Sequence, residues 1–73
     1  MTMKKFLVIF GTGNIAQLAH YYFCHDSEYE TVAFSVDSSY MDSVVFCGLP
    51  VVPFEEVPLR YPPETHEIFV ALS

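Results

Sequence analysis

Positive charge is scarce in this chain. Lys4, Lys5 and Arg60 stand against nine aspartates and glutamates, for a formal net charge of −6. A surface with that balance is unsuited to long nucleic acid or to an anionic membrane, both of which are bound through bulk positive charge. One phosphorylated small molecule held by backbone dipoles stays compatible with it. Cysteine is scarce as well: Cys24 and Cys47 are the only two, too few for the disulfide framework of a small secreted fold. His20 and Cys24 lie one helical turn apart with His25 beside them, but no carboxylate or second cysteine cluster completes a zinc set, so no metal is expected. Long apolar runs are missing, and no stretch can span a bilayer. Lys4-Lys5 precede five apolar residues and then Gly-Thr-Gly, which does not match a secretory leader. Neither an internal repeat nor a low-complexity segment is visible. These absences together point to the cytoplasm.

What is present is organised around KKFLVIFGTGNIAQLAHYYF, from Lys4 to Phe23. Phe6–Phe10 is a continuous apolar run of strand formers, which reads as a strand buried on both faces of a parallel sheet. It runs into Gly11-Thr12-Gly13-Asn14-Ile15-Ala16, a G-x-G-x-x-A pattern. Ile15, Leu18, Ala19, Tyr22 and Phe23 then recur at helical spacing and predict one apolar helix face. At such a junction Gly11 permits a tight exit from the strand. Gly13 removes a Cβ where a ligand approaches, and Ala16 lets the helix pack closely on the sheet. The helix N-terminus offers unpaired N–H groups and the positive end of its dipole, a setting that stabilises a phosphate or diphosphate. A tight turn without a ligand explains the same residues.

Cys24 to Ser27 favour a turn. Glu30 to Val36 alternates, with Val32, Phe34 and Val36 on one side and Thr31, Ala33 and Ser35 on the other, as a second parallel strand. A right-handed crossover makes the first half a βαβ unit. Asp37 ends this strand, 24 positions after Gly13. An acidic residue there either accepts ribose hydroxyls or caps a turn. Ser38 to Ser43 is a polar loop, Val44 to Phe46 a short extended segment, and Cys47-Gly48-Leu49-Pro50 a turn before a short strand at Val51-Val52. Phe54 to Val57 suits one helical turn behind Pro53, with Pro58, Pro62 and Pro63 stopping anything longer. The second crossover is therefore short or irregular. The run Ile68 to Ser73 reads as buried, and Glu67 to Leu72 returns as the third main strand, beside the first on the side away from the second. The fold class is α/β: a small, incomplete, helix-flanked, Rossmann-like parallel sheet, βαβ plus a further strand. With 52% hydrophobic residues in 73, the chain is expected to be the N-terminal piece of a longer protein or to associate through apolar surface.

KKFLVIFGTGNIA, a strand ending VAFSVD, FCGLPVVPFEEV and the strand IFVALS resemble, in order and spacing, the N-terminal domain of the PglD/NeuD-like sugar acyltransferases. The resemblance covers nearly all of residues 1–73 and implies a Rossmann-like substrate-binding domain for a nucleotide-linked sugar, a UDP-sugar above all. In that family a following left-handed β-helix of hexapeptide repeats binds acetyl-CoA, carries the catalytic histidine and trimerises. The resemblance implies that Gly11, Thr12, Gly13, Asn14 and Ile15 form the loop at the diphosphate. It puts Asp37 at the nucleoside end and Ser73 at the lip of the crevice. Asn14 stands where the family often has glycine, and Ser38 where it has a second acid. No hexapeptide repeat is present, and His20, His25 and His66 do not match the catalytic position. Hence no catalytic residue and no cofactor is expected in this chain; acetyl-CoA and a trimer belong to the absent domain. Two other readings use the same residues: the start of an NAD(P)-binding oxidoreductase, and a non-catalytic α/β interaction domain.

Overall fold

A computed structural model describes residues 5–26 and 28–71. The apolar run becomes β1 (Lys5–Phe10), and the segment after the glycines becomes α1 (Asn14–Asp26). The chain returns as β2 (Tyr29–Val36), makes a single 3-10 turn at Ser38–Tyr40, and forms a hairpin from β3 (Val45–Phe46) and β4 (Leu49–Pro53). A 3-10 turn at Phe54–Glu56 runs into the four-residue α2 (Val57–Arg60), and β5 (His66–Val70) follows. The strands form one five-stranded sheet in the order β3-β4-β2-β1-β5. Pairings β1–β2, β1–β5 and β2–β4 are parallel, and only the β3–β4 hairpin is antiparallel. The fold is thus α/β and Rossmann-like in strand order, with β5 beside β1 on the side away from β2. No helix among the described residues is long and apolar enough to cross a membrane.

The hairpin replaces the helix that a full second crossover would carry. Its two-residue turn places Cys47 at φ 54° and Gly48 at φ 79°, the double positive φ that a type I′ turn requires and that matches strand twist. Pro58 does not stop the helical turn as its ring chemistry suggested. It sits in the first turn of α2, where a missing N–H costs nothing.

One face of the sheet packs under α1, with Leu7, Ile9, Ala16, Phe34, Val36, Val51 and Ala71 buried together. On the other face Val8, Val52 and Val57 form a smaller cluster, joined by Val32 and Tyr61. Strict alternation in β2 fails at Val32. The β1–β2 register slips between Leu7 and Val8, so Thr31 pairs with Leu7 and Ala33 with Val8. That bulge turns Val32 to the second face while Phe34 and Val36 stay under α1.

Two further expectations change. The inward face of α1 is Ala16, with Ala19 and Phe23 packed against the same core and His20 edge-on to Phe34. Ile15, Leu18 and Tyr22 are exposed. Small residues win the inward position because they let the helix approach the sheet, and the bulky members of the apolar face move to its flank. β5 is not buried either. It is an edge strand with Ile68, Phe69 and Val70 all exposed, because nothing among the described residues pairs with or covers its outer side.

Candidate functional site

The loop after β1 is held from both sides. Gly11 N–H donates to Ser35 O at 2.7 Å, and Ala71 N–H donates to Phe10 O at 2.9 Å. Gly11 takes φ +126°, a conformation that side chains rarely tolerate, and a Cβ there would lie 2.7 Å from Ala71 O. The first glycine is therefore required by the approach of β5 as well as by the turn. Gly13 has an ordinary φ, since Gly11 and Gly48 are the glycines at positive φ. Its carbonyl accepts the first helical bond, from Gln17 N–H at 3.0 Å, which makes it the N-cap of α1. Gly13, Asn14 and Ile15 are exposed, Thr12 is half-buried, and Ala16 is fully buried against the sheet. The leading N–H groups of a 13-residue helix thus open to solvent at the carboxyl end of β1.

Asp37 follows β2 on the same end of the sheet. Its Oδ1 accepts from Ser39 N at 3.0 Å and from Ser39 Oγ at 2.9 Å, capping the 3-10 turn. The backbone bond, then the hydroxyl bond, hold its carboxyl below the ordinary value of 3.8. Asp37 is thus engaged as a turn residue, and the bonds leave Oδ2 as its other acceptor. Ser73 lies outside the described residues.

A cavity of about 190 Å³ opens beside the glycine loop, on the β2 side. Thr12, Tyr40, Asp42, Ser43 and Phe46 line it over a floor of Val36 and Val51. Asp37 is not among its lining residues. The cavity exists because the chain leaves β2 through the 3-10 turn and returns as the edge strand β3 beside β4, with the Phe46 side chain reaching back to Phe34 of β2. Val51 N–H bonds Val44 O at 2.9 Å, and Ser43 Oγ donates to Val45 O at 2.8 Å, which shapes the rim. Phe46 packs edge-on to Phe34 with ring centroids 4.8 Å apart, fixing one wall. Spacing along the chain offered no signal for Tyr40, Asp42 or Phe46; only the polar character of Ser38 to Ser43 marked the region.

Electrostatics at this end are negative or neutral. Lys5 stands at the opposite end of β1, over the Tyr29 ring, and Arg60 pairs with Glu56 at 3.2 Å. An anion at the loop would rely on backbone N–H groups and the α1 dipole, while Asp42 suits hydroxyl or amine donors. Cys24 and Cys47 are both exposed free thiols. Among the described residues, no group of three or more His, Cys, Asp or Glu is placed to hold a metal ion. Comparison with protein-family models, with curated proteins and with solved structures found no match for this chain. The resemblance to the sugar acyltransferases therefore stands on its motifs alone.

Proposed function

We propose that this chain is a nucleotide-binding α/β module whose ligand is a nucleotide-linked sugar, a UDP-sugar above all. The observation that carries the reading is the cavity that shares Thr12 with the glycine loop at the N-terminus of α1. A diphosphate at the N–H groups of Asn14, Ile15 and Ala16 would leave the nucleoside beside that cavity. Tyr40 and Phe46 there offer aromatic faces, and Asp42 accepts ribose hydroxyls. The family resemblance extends the proposal to acetyl transfer from acetyl-CoA by a partner β-helix domain, which would also set a trimer, in the cytoplasm. No residue of this chain is given a catalytic role. A second reading, an NAD(P)-binding oxidoreductase, draws on the G-x-G-x-x-A loop and on Asp37 at the end of β2; it lacks support from the connection after β2, which is a hairpin rather than a helix.

Saturation-transfer NMR with UDP, UDP-N-acetylglucosamine and NADH in parallel tests this. Transfer to the uridine nucleotides, lost in Gly13→Val, is the expected result. Gly13 is exposed at an ordinary φ, and circular dichroism of the variant against the parent chain separates loss of binding from loss of fold. Transfer to NADH alone selects the oxidoreductase, and silence from all three removes the nucleotide reading.

A further inference from the structure

Beyond any ligand, the arrangement of α1 and β5 describes an interface. β5 ends the sheet, and its outer backbone edge has no strand partner among the described residues. Ala71 N–H points to β1, and in a strand these directions alternate, so the N–H and C=O groups of Ile68 and Val70 point outward. The N–H of His66, on the same outer side, is already taken by Pro62 O at 3.1 Å. Exposed edges of this kind pair with other strands unless blocked, and β5 carries no Pro, Lys or bulge to block it.

The flank of α1 that the sequence makes apolar lies toward this same edge. His20 leans on Phe34 of β2, whereas Phe23 packs edge-on to Phe69 of β5 at 5.3 Å. At about 100° per residue, the positions beyond Phe23 and Ala19 around the cylinder are Ile15, Tyr22 and Leu18. Ile15 and Tyr22 thus lie roughly a quarter of a circle round from the sheet-facing line, where the sheet stops, and Leu18 lies further round, about 150° from that line. Leu18 is 65% exposed and Val70 54%.

We propose that this surface is where a second copy of the chain docks, with two β5 strands pairing antiparallel about a twofold axis at Ile68. In that register Ile68 bonds Ile68 of the second copy twice, and each Val70 N–H finds the His66 carbonyl opposite. The reciprocal His66 N–H stays with Pro62 O, so the Val70 carbonyl at each end of the ladder is left to solvent. Charge points to the same occupant. From Asn14 to His25 the helix contains no Asp, Glu, Lys or Arg, in a chain of net charge −6. Glu67 is the one carboxylate on β5, it accepts from Tyr29 Oη at 3.2 Å, and in this register it faces Phe69 rather than its own copy. Two copies meet through their uncharged sides and keep their acids apart, whereas a basic partner would find a single carboxylate. A standard interface removes about 800 Å² per partner, roughly one-sixth of the 5055 Å² surface. Paired backbone alone cannot supply that, so Tyr22, Phe69 and Val70 are buried with it.

Sedimentation equilibrium of the chain at about 100 μM, above the micromolar end of such interfaces, reads the result directly. The expected mass is twice the 8.3 kDa of one chain. Val70→Lys and Tyr22→Glu, both at exposed positions that leave the fold intact by circular dichroism, should each weaken the dimer at least about tenfold. Cys24→Lys, at an exposed position on the opposite flank of α1, should leave it unchanged. Amide exchange at Ile68 and Val70 should slow as concentration rises. A monomer at that concentration, a higher oligomer, or a dimer indifferent to Val70→Lys and Tyr22→Glu overturns the proposal, whatever the nucleotide experiment shows.

Discussion

A Cβ on Gly11 would stand 2.7 Å from the carbonyl oxygen of Ala71, sixty residues away in the chain. The glycine that opens the G-x-G-x-x-A pattern is therefore also the residue that admits the end of the sheet's last strand. Gly11→Ala should destabilise the fold by about 2–4 kcal/mol, from the strained φ and the backbone contact together. Urea unfolding compared with the parent chain checks this. An unchanged midpoint would mean that β5 does not close on the loop.

The hairpin turn offers the opposite case. Cys47 holds φ 54° without being glycine or asparagine, and Gly48 follows at φ 79°. Cys47→Asn restores the Asn-Gly pair that type I′ turns favour and should stabilise by about 0.5–1 kcal/mol. Thermal melts of the two chains decide it, and a lower melting temperature would refute the turn assignment.

Phe34 is fully buried and joins three elements, meeting Phe46 at 4.8 Å and His20 at 5.5 Å between centroids. Phe34→Ala should cost about 3–5 kcal/mol. A chain of this length holds roughly 4–11 kcal/mol in all. The variant is expected to lose most of its cooperative transition by circular dichroism, and a full transition near the parent midpoint would place the core elsewhere.

Asp37 titrates below the ordinary aspartate value because Ser39 donates to it from backbone and side chain. A carboxyl depressed in the folded state adds stability above its unfolded value, near 3.8, and loses it as pH falls through the lower folded value. Carbon-detected NMR of the side chain should show the depressed midpoint. Ser39→Ala should move it upward, since one of the two donors is lost; no movement would mean that the hydroxyl contributes nothing.

Tyr29 behaves in the reverse sense. Partial burial of its ring, and then the nearby Glu67 carboxylate, raise its phenol above 10.0. A raised acid contributes stability below its unfolded value and loses it as pH rises through the folded one. Nuclear magnetic resonance titration of the Tyr29 ring should place its phenol above 10.0, and Glu67→Gln should bring it down. A midpoint that Glu67→Gln does not move would break the link between β2 and β5.

Much of the architecture was determined locally. Five apolar residues bounded by glycine make β1, helical spacing makes α1, and proline with glycine limits the second crossover to a hairpin and short turns. These features depend on chain stiffness and on which residues avoid water, and both can be read in order along the chain. The glycine loop and its helix were legible for the same reason. Tertiary structure alone decided three things. Ala16 and not Ile15 faces the sheet, because packing distance outranks hydrophobicity where a helix meets strands. Val32 changes face, because the β1–β2 register slips. Tyr40, Asp42 and Phe46 gather with Thr12, because β4 pairs with β2 and carries the β3 hairpin to the same end of the sheet, a long-range closure that no spacing encodes. Exposure of β5 is of the same kind: apolar composition says that a strand prefers to be covered, and only the sheet order says that its outer edge is left open.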